Sequence, residues 1–80
     1  MTDLRKHWAE VRTQLLGAMT DIGAALPQEV TDIVTEWLEH NELELALRAI
    51  QDGAEEHGVQ LSTEATQHLR RAAHLMRLDF

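Results

Sequence analysis

Apolar residues in this chain recur at spacings of three and four from one end to the other, and no segment alternates with period two. A spacing near 3.6 gathers one stripe of a helix, whereas a half-buried strand needs a spacing of two. The pattern therefore commits the chain to helices packed on helices, an all-α domain. With no cysteine, neither a disulfide nor a thiolate-held metal can staple that arrangement. A chain of 80 residues is also small, and at this size folding buries only about 60 to 65% of the unfolded surface. Side-chain packing between helices must supply nearly all the stability.

Four amphipathic helices follow from the spacing. Leu4, Trp8, Val11, Leu15, Ala18 and Ile22 predict a first helix over about 3–24. Gly17 and Gly23 fall inside it, each costing about 1 kcal/mol relative to alanine, so its last turns should fray before Pro27. Pro27 suits the first position of a second helix, 27–40, whose buried face is Val30, Ile33, Val34, Trp37 and Leu38. Asn41 tolerates a left-handed backbone and offers a capping oxygen, and Glu44 three residues later completes a capping box for a third helix, 42–57. Leu43, Ala46, Leu47, Ile50 and Ala54 form its stripe, with Gly58 placed as the residue after its C-cap and Val59 closing behind. Ser62 caps a fourth helix, 62–78, burying Ala65, Leu69, Ala72, Ala73 and Met76, with Leu75, Leu78 and Phe80 at its edges. Trp8 and Trp37, two of only three aromatic residues, are assigned to the core. The whole chain, 1–80, reads as one bundle-like domain.

Charge is distributed unevenly over these helices. From Asp21 to Glu64 there are eleven acidic residues and only Arg48 to balance them, a net of −10, while the other three acidic and six basic residues sum to +3. In helix two, Glu29, Asp32, Glu36 and Glu39 follow spacings of three and four, opposite the apolar face. Like charges so placed destabilise a helix by roughly 0.2 to 0.5 kcal/mol per pair. Glu36, Glu39, Glu55 and Glu56 also lie toward helix C-termini, where the macrodipole disfavours negative charge. A solvated face is the plain explanation. Preferences broken on two adjacent helices suggest instead a surface kept acidic for a positively charged partner. Arg48, four residues from both Glu44 and Asp52, fits as a local neutraliser. The candidate contact residues are Glu29, Asp32, Glu36, Glu39, Asp52, Glu55 and Glu56.

Other chemistries find little purchase. The formal charge of −7 argues against nucleic acid as a direct ligand, because phosphate binding draws on lysine and arginine. The five histidines (7, 40, 57, 68, 74) contain no pair four residues apart, and no metal site is expected. Glu55 and Glu56 diverge around a helix, Ser62 serves as a cap, and no glycine-rich phosphate loop occurs, so no catalytic or cofactor-binding residue is expected. Apolar runs never exceed three residues, far short of the roughly 20 that span a bilayer. A cytoplasmic, non-enzymatic protein with no membrane partner is expected.

The runs LPQEV (26–30), WLEHNELELALRAIQDGAEEHGVQLSTEA (37–65) and LRRAAHLM (69–76) resemble the MafI family of bacterial immunity proteins. These are small helical antidotes to polymorphic contact-dependent toxins. The resemblance spans residues 26 to 79 and centres on EHNELELAL, where family members commonly have glycine at the turn and this chain has Asn41. Leu43, Ala46 and Leu47 of that motif read as core, and Glu42 and Glu44 as favourable charge at a helix start. The resemblance implies a protein that binds and silences a cognate toxin without catalysis, and basic, nuclease-type toxins would suit the acidic surface. Two alternatives remain: a dimerisation or adaptor module, with a homodimer seam of Leu4, Trp8, Val11 and Leu15 on helix one, or an acidic mimic of nucleic acid that inhibits a DNA-binding protein.

Overall fold

The computed structural model describes residues 4–78. Helix α1 covers Leu4–Ile22 and ends in a single 3₁₀ turn, Gly23–Ala25. Helices α2 (Gln28–Glu39), α3 (Leu43–Glu56) and α4 (Thr63–Leu75) follow, giving an all-α fold with no strand among the described residues. Residue 3, expected at the start of the first helix, and Phe80, expected at the edge of the fourth, lie outside the described residues.

Local chemistry places the ends. Pro27 has φ −58° and ψ 149° and is the N-cap of α2, one residue earlier in the cap than expected, with its carbonyl accepting from the N–H groups of Val30 and Thr31. Ser62 caps α4 as expected, its Oγ accepting from the Ala65 N–H at 3.0 Å. At the other ends, α2, α3 and α4 close alike. A residue with positive φ follows each C-cap: Asn41 (57°), Gly58 (63°) and Arg77 (59°). The next N–H then reaches back five residues: Glu42 to Trp37 O, Val59 to Ala54 O and Leu78 to Ala73 O. These are Schellman closures, which satisfy carbonyls that a helix end otherwise leaves open.

The expected capping box does not form. Asn41 terminates α2 rather than starting α3, whose N-cap is Glu42 with no side-chain cap hydrogen bond. A residue held in the left-handed region to close one helix is one position too early to cap the next. The fourth helix likewise ends before the expected boundary, because Arg77 turns left-handed at 59°.

One core of buried side chains joins all four helices, with Val11, Leu15, Val34, Ile50 and Leu69 as its largest fully buried members. Each such side chain contributes about 1.5 to 3 kcal/mol by leaving water. Helix α1 packs most extensively on α4, and α2 on α3. The first pair is antiparallel: the His68 ring lies against Gly17, while Leu75 and Arg77 border Leu4 and His7. Glycine explains how close these helices come. A Cβ at Gly17 would stand 2.8 Å from His68 Cε1, and one at Gly53 would stand 2.5 Å from Val30 Cγ1. Gly17, read from sequence as a weakness in α1, is a contact point.

Two assigned core residues lie elsewhere. Ile33 is 48% exposed because it sits about 100° round α2 from Val34, past the edge of the buried arc. Trp8 is 38% exposed. It continues the stripe of Val11 and Leu15, but α4 ends at Leu75 and α3 begins at Leu43, so the covering helices stop short of it. Trp37 and Met76 are half-buried and pack against the core.

The α2–α3 closure gives a direct test. Asn41→Ala should lower stability by about 1 kcal/mol, since alanine resists positive φ, while Asn41→Gly should leave it unchanged or raise it. Urea midpoints of the three proteins check this; equal midpoints for alanine and asparagine would reject the closure. Gly53→Ala should cost about 1 to 3 kcal/mol through the Val30 collision, measured in the same way.

Candidate functional site: the outer face of α2 and α3

Turning α2 by 100° per residue places Glu29, Asp32, Glu36 and Glu39 within an arc of about 80°, opposite the inward Val34 and Leu38. All four are exposed. Helix α3 buries Leu43, Ala46, Leu47, Ile50, Gly53 and Ala54, which leaves Asp52, Glu55 and Glu56 exposed on its far side. Asp52 and Glu55 stand within about 60° of each other, whereas Glu56 is turned about 100° from Glu55 and shares its side of the helix with Leu45. The seven carboxylates therefore occupy the outer faces of two helices packed on each other, with Glu56 apart from the main α3 line.

Among the described residues none of these seven carboxylates is in an ion pair. Asp32 accepts a hydrogen bond from Gln28 Nε2 at 2.8 Å. Arg48, expected to neutralise Glu44 and Asp52, pairs with neither. Exposed pairs of this kind are worth little, and a long side chain loses rotamer freedom in forming them. The positive charge nearest the C-terminus of α2 comes instead from outside it. Neither α2 nor α3 has a basic residue in its last turn, but Arg12 of α1 donates from its guanidinium to the Leu38 carbonyl. That contact lies 26 residues away in sequence, beyond the reach of any reading of local spacing.

Apolar side chains also reach this face. Ile33 on α2 and Leu45 on α3 are 48% and 39% exposed. Val30, which meets Gly53, marks the side of α2 turned to α3, and Ile33 and Trp37 lie about 60° and 20° from it, toward the outer surface. Ile33 and Leu45 are thus exposed apolar groups on the same two helices that carry the seven carboxylates. Sequence reasoning missed Ile33 and Leu45 because their spacing assigns one to the core and gives the other no signal.

Histidines contribute little here. His68 lies at the α1–α4 contact, its Nδ1 donating to Gln14 Oε1 at 2.8 Å and its Nε2 3.9 Å from Asp21 Oδ2. Among the described residues no group of three potential ligands could hold a metal ion, and no helix is long and apolar enough to cross a membrane. No family model, curated protein or solved structure matches the chain.

Glu36→Lys with Glu39→Lys should leave stability steady or raise it by a few tenths of a kcal/mol. Both changes relieve like-charge spacing and place positive charge toward a helix C-terminus. Thermal melts check this. A loss beyond 1 kcal/mol would mean that these carboxylates contribute to the fold itself.

Proposed function

We propose that this chain is a non-catalytic immunity protein, which binds and neutralises a cognate basic toxin through the outer face of α2 and α3. The observation that carries the reading is the set of seven exposed carboxylates on two adjoining helices, none of them in an ion pair among the described residues. Arg48, exposed on the same side of α3 as Asp52 and Glu55, offsets one of these charges. The surface keeps a net negative field, which accelerates encounter with a positively charged protein and loses that advantage as salt rises. Nuclease-type toxins, which are basic where they meet nucleic acid, fit that requirement. The resemblance of residues 26–79 to the MafI family supports the same role, with the neutralised toxin made by the same cell. Inhibition by occupancy needs no reacting group.

The reading requires a toxin domain encoded beside this chain, and co-expression with that domain tests the role: rescue of growth is expected, and the absence of such a gene or of rescue sinks the reading. Against that toxin, the Glu36→Lys/Glu39→Lys protein should associate about tenfold more slowly at low salt, with a smaller difference at high salt. Surface plasmon resonance at two salt concentrations measures it. Unchanged association rates at both would make the stripe a solvated face and move the contact to another surface.

A further inference from the structure

Helix α1 meets the rest of the fold along two lines. Val11, Leu15, Ala18 and Ile22 are buried in the core, so of the dimer seam read from sequence only Leu4 and Trp8 stay exposed. The second line is polar. At 100° per residue Glu10, Gln14, Gly17 and Asp21 fall within an arc of about 60°, and the half-buried His68 of α4 lies against it. The nitrogen-bearing edge of the ring is turned to Gly17, with Cε1, Nε2 and Nδ1 at 2.8, 2.9 and 3.0 Å from where a Cβ would stand.

Hydrogen bonds along this line fix the tautomer of the ring. Gln14 Nε2 donates to Glu10 Oε1 at 3.0 Å, and a carboxylate can only accept. Gln14 therefore turns its Oε1 to His68, since the reverse orientation would set oxygen against oxygen at Glu10. With that acceptor 2.8 Å away, His68 Nδ1 must carry the hydrogen. A neutral imidazole has one N–H, so Nε2 presents a lone pair, and the group it faces at 3.9 Å is the Asp21 carboxylate. Two acceptors are opposed. A proton on Nε2 removes the conflict: it gives Asp21 a donor and sets a positive ring beside a negative group, with the bond to Gln14 unchanged.

The remaining charges do not reverse that sign. Glu64 and Arg71, each one turn from His68 along α4, are opposite in charge. Lys6 lies about 12 Å before Gln14 along α1, beyond the screening length at ordinary salt. Helix α3 turns Leu43, Ala46, Leu47, Ile50 and Ala54 to the core that α4 shares, all of them apolar.

We infer that Glu10, Gln14, His68 and Asp21 form an acid-strengthened clasp between α1 and α4, the most extensively packed pair of helices in the fold. Protonation of His68 tightens it. The stability it contributes is present in full where the imidazole is charged and is lost as pH rises through the titration of the ring. Water reaches both His68 and Asp21 and screens the pair, so the response is a few-fold. The clasp does not depend on the toxin reading, which concerns the outer face of α2 and α3.

Urea unfolding at about pH 8 and about pH 5.5, on either side of the usual imidazole titration, tests it. The other histidines, at 7, 40, 57 and 74, titrate over the same range. The quantity to read is therefore the pH response of the parent against that of His68→Gln, in which their effects cancel. Acidification should favour folding of the parent over this variant by about three- to fivefold in the unfolding constant. Asp21→Asn should abolish the same increment. Its amide N–H can meet the Nε2 lone pair, so at about pH 8 it should be at least as stable as the parent. Nitrogen NMR of the imidazole at that pH reads the tautomer with no substitution, and the hydrogen is expected on Nδ1. An equal pH response in the parent and His68→Gln, an undiminished one in Asp21→Asn, or a neutral ring with its hydrogen on Nε2 each overturns the proposal. Should His68→Gln fail to fold, Asp21→Asn and the tautomer decide.

Discussion

The fold depends on how closely its helices can approach. Helix α4 buries Ala65, Leu69, Ala72 and Ala73, so three of its four inward side chains are methyl groups. Gly17 faces the His68 ring, and Gly53 faces Val30. Small residues forgo apolar area, the main source of stability in a chain this short, yet they let larger neighbours interdigitate at the density of a protein interior. Leu15, Ile50 and Leu69 can be fully buried because α1, α3 and α4 come near enough to enclose them. Gly17 costs about 1 kcal/mol of helix propensity, and the space it leaves is filled by an imidazole held through Gln14.

Most of this fold is legible in the sequence because each helix is governed by local rules. Every stripe residue assigned to α3 is buried, and Ser62 and Gly58 perform the roles their chemistry suggests. Reading fails where one residue could serve two neighbouring elements. Asn41 has both a capping oxygen and tolerance of positive φ, and only one can be used at one backbone position; the closure of α2 takes it. Arg77 carries no signal for a left-handed turn, and the closure there is set by the fold around Ala73 and Leu78. Trp8 and Ile33 fail for another reason: periodicity gives the side of a helix and not the length or width of what covers it.

The candidate surface is legible in part. Solvent exposure of all seven carboxylates follows from their spacing against the apolar stripe. Their lack of ion pairs among the described residues does not, since Arg48 has the right offset from Glu44 and Asp52 and still forms no pair with either. Nor does the exposure of Ile33, which spacing places in the α2 stripe and which lies past the edge of the buried arc.

Acidic residues at the ends of α2 and α3 look costly when each helix is considered alone, and the tertiary structure reduces that cost. A helix C-terminus is unfavourable to carboxylates mainly through its uncapped carbonyls, whose partial negative charge falls off within the last turn. Schellman closures at Asn41 and Gly58 turn two of those carbonyls in each helix to backbone N–H groups. At α2, the Arg12 guanidinium adds a full positive charge at the Leu38 carbonyl, one residue from Glu39 in the chain. Glu36 and Glu39 therefore sit beside a terminus whose negative end is already engaged from within, on the side turned away from solvent. The arrangement keeps the cation at the helix end and leaves the outer carboxylates unneutralised. Surface lysines would have satisfied the same helix preference, but they would also have cancelled the field that the outer face projects into solvent.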